Sequence, residues 1–297
     1  MLFALCESLA TLSCGRRAES DTSAHEVRVA ASASAAAASK ARQRDGAALT
    51  RLLESFVEPL ALTAGEAALV PSPRSLVAAL DSNQPTLMYS LGVVEQIGAR
   101  ESRVRWLNGE QREVPNALVI PLGENRRAPA GKLVLTSWTE GSGLTLAFTL
   151  PASEPDAPLV HGVEASDAAM AKAPRRLEPN SFRVLTAEAE VGAPVACRYA
   201  DRVERFLVLR KAAELVLAFG FGGRIEVLPL ASCRGLPLSP TLRAGDRVFV
   251  PIASVFARAR VERVELDVGW IHLDADFAGE TRPLTTGVGN VATALPP

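Results

Sequence analysis

Histidine, cysteine, lysine and aromatic residues are all scarce in this 297-residue chain. Three His and four Cys leave few ligands for a metal centre. Aromatic residues are 5% of the total, which leaves few platforms for stacking bases. An excess of one charge is also missing: 32 basic and 33 acidic side chains give a formal charge of −1. That excludes a nucleic-acid binder working through a phosphate-neutralising field. Lysine stands only at Lys40, Lys132, Lys172 and Lys211, so 28 of the 32 basic residues (32 − 4) are Arg. Alanine is abundant throughout, and both trends fit a GC-rich coding sequence. What is present is a hydrophobic content of 48%, which is ample for a packed core and excludes global disorder. The length favours two domains or several small ones.

The first apolar stretch, Leu2–Leu12, is too short to span a bilayer and long enough for the apolar region of a signal peptide. Ser13-Cys14-Gly15 follows, then a polar tail. This resembles the lipobox of bacterial lipoproteins, in which a small residue precedes the Cys that becomes lipidated. The resemblance implies export, a lipid anchor on Cys14 and a signal segment over 1–14. The other reading is a buried N-terminal helix with an ordinary Cys. Residues 15–44 are Ala, Ser and charge with almost no large apolar side chain, which reads as a tether.

Between 45 and 83 the spacing predicts a helical segment. Leu49, Leu52, Leu53, Phe56 and Val57 form one amphipathic face. Ser72-Pro73 reads as a helix start, with Leu76, Val77 and Leu80 as the stripe that follows. From about Thr86 the period changes to two. Leu91–Ile97, Arg103–Trp106, Gln111–Val114 and Leu118–Ile120 read as strands, and Asn108-Gly109 as a hairpin turn. The same grammar returns in Arg205–Leu209, Leu215–Phe219, the turn Gly220–Gly223 and Arg224–Pro229. A second kind of unit follows each: Gly131–Trp138 resembles Gly245–Ile252, and Gly141–Leu150 sits where Arg258–Leu266 sits later. An internal duplication is the inference, with a first paired β module over 84–186 and a second over 187–292. Pro151–Pro179 reads as a long loop or short helix, and Ser181–Leu185 as a returning strand.

These modules resemble the Tudor and agenet-like family of SH3-type barrels. Gly245-Asp-Arg-Val248, the alternating Trp270–Phe277 and Gly279-Glu-Thr-Arg-Pro-Leu284 carry the likeness best, over about 85–291. It implies an all-β fold of tandem small barrels, preceded by the helical segment and the tether. It also implies ligand capture, often in an aromatic cage. Tyr89, Trp106, Trp138, Phe219, Phe221, Phe249 and Trp270 are the available rings. Most alternate with aliphatic core positions, so core packing is the expectation and no cage is assigned. Trp106, Trp138 and Trp270 remain the candidates for a ligand surface, with the loops at Thr139–Gly143, Asn108–Gly109 and Gly220–Gly223.

No catalytic residues are assigned, because no nucleophile, base and orienter stand in a recognisable motif. His25 lies in the tether and His161 in a Pro-rich stretch. His272, Asp274 and Asp276 share a strand face that could take a cation, although a solvated face explains them as well. No metal or cofactor is expected. Cys197 and Cys233 can bridge if the chain is exported and stay reduced if it is cytosolic. The sequence thus reads as a non-enzymatic binding or structural protein of the cell envelope. Its partner would be an unknown protein or envelope ligand rather than nucleic acid, and it would touch the membrane only through an N-terminal lipid. The alternatives are a hydrolytic enzyme or subunit with a site between barrels, and a cytoplasmic adaptor.

Overall fold

The computed structural model describes residues 76–81, 88–122, 127–139, 142–151, 154–163, 173–212, 214–277 and 279–297. All lie in one of the chain's two compact bodies, Leu53–Pro297. The signal-like segment with Cys14, the tether and residues 45–75 of the expected helical segment lie outside the described residues.

Among the described residues every long element is a strand. Glu101–Trp106 hides Ser102, Val104 and Trp106 and exposes the residues between them. The first four strands are β1 Leu76–Asp81, β2 Met88–Ile97, β3 Glu101–Trp106 and β4 Gln111–Pro115. They form an antiparallel meander. A 3₁₀ turn, Asn116–Leu118, then leads into β5 Val119–Pro121, which returns to pair with β1. The expected helix is therefore a strand over 76–81. Six residues give a helix too few hydrogen bonds to offset its nucleation, whereas β2 and β5 pair with this segment on both edges.

The same connectivity appears three more times. Repeat 2 comprises β6 Leu133–Thr139, β7 Ser142–Thr149, β8 Leu159–Gly162, β9 Arg175–Arg176 and β10 Phe182–Val184, with β10 back on β6. The segment 151–179 thus carries two strands rather than only a loop or helix. Repeat 3 comprises β11 Pro194–Tyr199, β12 Arg202–Ala212, β13 Leu215–Gly220, β14 Ile225–Pro229 and β15 Cys233–Gly235, with β15 back on β11. Repeat 4 comprises β16 Arg247–Ile252, β17 Val255–Glu265, β18 Trp270–Phe277 and β19 Glu280–Gly287. Its closing contact is a bridge between Phe249 and Ala292.

Two local devices recur with the topology. Gly131, Gly192 and Gly245 each precede a first strand with positive φ, of 79°, 88° and 94°. Their N–H groups donate to the carbonyls of Thr149, Val208 and Val261 in the second strands. Three residues after each glycine stands a buried valine: Val134, Val195 and Val248. The second strand carries a register shift after Val94, Val208 and Val261 in repeats 1, 3 and 4.

Repeats 1 and 2 share one ten-stranded sheet, and repeats 3 and 4 share a nine-stranded one. In both, the second strands meet antiparallel near their starts, through Ser90 with Ser142 and Glu204 with Val255. Neither sheet closes on itself along its hydrogen-bonded path. Each pair also packs against the other. Tyr89 of repeat 1 meets Phe219 of repeat 3 edge-on, with ring centroids 5.1 Å apart. Arg210 of repeat 3 donates to the carbonyls of Asn116 and Val119 in repeat 1. His161 of repeat 2 stacks on Trp270 of repeat 4 at 4.3 Å.

Candidate functional site

The clearest convergence of rings and charge among the described residues is at one end of repeat 3, beside its seam with repeat 4. The chain leaves β11 at Tyr199, turns through Ala200 and Asp201, and re-enters as β12 with Arg202 opposite Tyr199. Alternation along β12 then sends Glu204 and Phe206 inward, with relative exposures of 2% and 1%. Phe206 joins the repeat's apolar core with Val195, Cys197, Val208 and Val216. Gly220, at the end of β13, is where its ring comes close to backbone. A Cβ at that position would meet the Phe206 ring at 2.7 Å, so only glycine leaves the ring its place. The turn Phe221–Gly223 then brings the chain back at Arg224.

Arg224 reaches into this corner. Its guanidinium carbon lies 4.2 Å from the Tyr199 ring centroid and 5.3 Å from that of Phe206. One terminal nitrogen donates to Glu204 Oε2, and Nε lies 3.4 Å from Glu226 Oε1. Glu204 has further partners: Arg202 Nε at 3.0 Å and the Ser254 hydroxyl at 3.4 Å. A buried carboxylate held by this many donors is a satisfied charge rather than a stranded one. Hydrogen bonding toward Glu226, then burial, then the Glu226 charge push the pKa of Tyr199 up, and the Arg224 charge works the other way. The corner is a cation box of two rings and two carboxylates, with a guanidinium inside it.

Elsewhere the structure separates or buries the residues singled out from sequence. Trp106 and Trp270, read as ligand-surface candidates, are core residues with 3% and 8% exposure. The Trp106 ring lies across Gly92 of the paired strand, where a Cβ would meet it at 2.8 Å. The face of Trp270 is covered by His161. The side chain of Trp138 lies outside the described residues. Phe249 packs against the cluster of Ala196, Leu236 and Ala292, and Tyr89 and Phe219 cover each other. Among the described rings of the set, Phe221 is the exposed one, at 71%. Cys197 and Cys233 stand opposite each other on β11 and β15 and are disulfide-bonded.

Both ring nitrogens of His161 face carbonyl oxygens, of Gly162 and Val268. His272 is held by Arg263 and by the Thr285 hydroxyl at 3.0 Å, and Asp276 accepts from Thr281. No group of three or more His, Cys, Asp or Glu among the described residues could hold a metal ion. Tyr199, Phe206, Glu204 and Arg224 were not picked out as a set by sequence reasoning. Their common face depends on a turn and a return strand bringing positions 199–206 and 224–226 together. The visible trace was the alternation Arg202, Glu204, Phe206 directly after an aromatic at a strand end. No family model matches the chain, and no curated protein matches its sequence.

Proposed function

We propose that the chain is a non-enzymatic binding or structural protein of the bacterial cell envelope. In this reading it is built from tandem SH3/Tudor-like barrels and anchored by lipid on Cys14. The observation that carries the proposal is the fourfold repetition of one unit, a four-strand meander whose closing segment returns to its first strand. That connectivity is the one expected of small SH3-type barrels, and repetition of one small unit extends the surface available to a partner. The Cys197–Cys233 disulfide supports an oxidising compartment.

The loop tips are where the repeats offer apolar contact. Leu107, Phe221 and Phe277, with exposures of 63%, 71% and 45%, each lie at the turn between a third and a fourth strand. Two measurements test the reading. Cys14→Ser should move the protein from the membrane fraction to the soluble one, and an intact mass with Met1 unprocessed in the native host would overturn the anchor. Crosslinking in envelope vesicles should trap a discrete partner with the wild type. Replacing Leu107, Phe221 and Phe277 by Ala should lose it at an unchanged Tm, and an undiminished crosslink would reject the tip surface.

A further inference from the structure

Among the described residues β14 pairs with β13 alone and ends the hydrogen-bonded path of the nine-stranded sheet. We propose that this edge docks a second copy of the chain, whose own β14 adds antiparallel to it across a twofold axis at Val227. The pairing does not depend on the lipid anchor proposed above.

The register inside the hairpin fixes what the edge offers. Gly220 N–H donates to the Arg224 carbonyl, and Leu230 N–H to the Glu214 carbonyl. Arg224, Glu226, Leu228 and Leu230 therefore spend their backbone groups on β13. Ile225 and Val227 turn both N–H and C=O outward. Pro229 turns out a carbonyl that accepts from the Ser232 hydroxyl and keeps a second lone pair. The other long edges are blunted. By the same alternation the outward row of β19 is Thr281, Pro283, Thr285 and Gly287, so a proline interrupts it, and Gly287 N–H is spent on Val163. β4 shows exposed Gln111 and Glu113 and ends in Pro115, and β16 gives the backbone of Phe249 to Ala292. The outward row of β14 has no charge and no proline before its last residue. Ile225 and Val227 are half-buried and share a face with Leu215, which is 36% exposed. An edge left in this state is a template for another strand.

The row is complementary to itself in one register. A twofold axis at Ile225 would pair Val227 with Gly223, which lies in the turn at a φ of 84°. An axis at Glu226 would set two carboxylates directly opposite each other. An axis at Leu228 would run the pairing into the 3₁₀ turn Leu230–Ser232. An axis at Val227 uses the whole strand. Val227 meets its own copy through both N–H and C=O, each Ile225 N–H donates to a Pro229 carbonyl, and Glu226 faces Leu228. The apolar row of Ile225, Val227 and Pro229 then continues across the axis. Five residues a side bury less than a permanent dimer does, so the pairing is reversible and grows with local concentration.

The test is sedimentation equilibrium of the full chain carrying Cys6→Ser and Cys14→Ser, over a range of concentrations. A monomer–dimer equilibrium is expected. Val227→Pro removes the donors at the axis and leaves the β13 ladder intact, so the dimer should be at least about tenfold weaker at an unchanged Tm. If that variant does not fold, Val227→Lys, which sets like charges across the axis, carries the same expectation. In the same background a short thiol cross-linker should join Val227→Cys to its copy and leave Gln111→Cys on β4 single. A chain that is monomeric at every concentration overturns the proposal. So does a dimer that neither variant weakens, or a Val227→Cys cross-link that forms in envelope vesicles only to a chain of different mass.

Discussion

Tyr89 and Tyr199 are the only tyrosines in the chain, and their surroundings make opposite use of the same side chain. Tyr199 is half-buried at the end of β11, with the Arg224 guanidinium 4.2 Å from its ring centroid. Tyr89 is buried against Phe219, and its hydroxyl has no hydrogen-bond partner among the described residues. Burial raises its pKa far above the ordinary phenol value, and the Arg210 charge offsets part of that. The folded chain therefore keeps a proton on Tyr89 that the unfolded chain releases near pH 10. Its contribution to stability is complete below about pH 10 and is lost as the pH rises toward the folded value. Tyr89→Phe should remove that alkaline loss and raise stability by about 1 kcal/mol, because it deletes a buried hydroxyl without a partner. Urea titrations at neutral and alkaline pH would check both, and an unchanged alkaline slope in the variant would contradict the assignment. None of this was legible in the sequence, where Tyr89 and Tyr199 each stand beside alternating strands.

Hairpins were the most legible elements because their signals are local. Asn108-Gly109 names a turn by backbone geometry alone, and Gly109 has a φ of 88° there. Arg205–Leu209 and Leu215–Phe219, which a helix could also have accommodated, lie in the hairpin strands β12 and β13. The elements that escaped are those specified by distant partners. Leu76, Val77 and Leu80 suit a helical stripe, but the segment is a strand because β2 and β5 bracket it. The strands β8 and β9 sit in a Pro- and Ala-rich stretch; β8 is held by β7, and β9 by β8. Each short closing strand, β5, β10 and β15, is held by three residue pairs, and in repeat 3 a disulfide adds to them. Cys197 and Cys233 are 36 residues apart, so the bond should contribute about 4 kcal/mol in the chain-entropy model. Reduction, or Ser at both positions, should lower the urea midpoint accordingly, and an unmoved midpoint would show that pairing alone secures β15.

At the scale of the whole molecule one connectivity occurs four times, and the contacts between the two sheets explain where the large rings went. Repeat 1 meets repeat 3 through Tyr89, Phe219 and Arg210, and repeat 2 meets repeat 4 through His161 and Trp270. Sequence alternation could say that a ring faces inward or outward on its own strand, but not that another repeat covers the outward face. That is why Trp270 reads as a surface candidate and is a core residue. The same interface should make the two sheets unfold as one cooperative system. Gly287 lies so close to repeat 2 that a Cβ there would meet Val163 Cβ at 2.2 Å and its Cα at 2.8 Å, and its N–H donates to the Val163 carbonyl at 3.1 Å. Backbone atoms cannot step aside as a rotamer can, so Gly287→Ala must push repeat 4 away from repeat 2. The expected cost is about 1–3 kcal/mol, concentrated at the interface rather than inside either sheet. Calorimetry should therefore show one unfolding transition for the wild type and two for Gly287→Ala, as each sheet unfolds on its own. Two transitions in the wild type, or one in the variant at an unchanged Tm, would mean that the sheets fold independently of this contact.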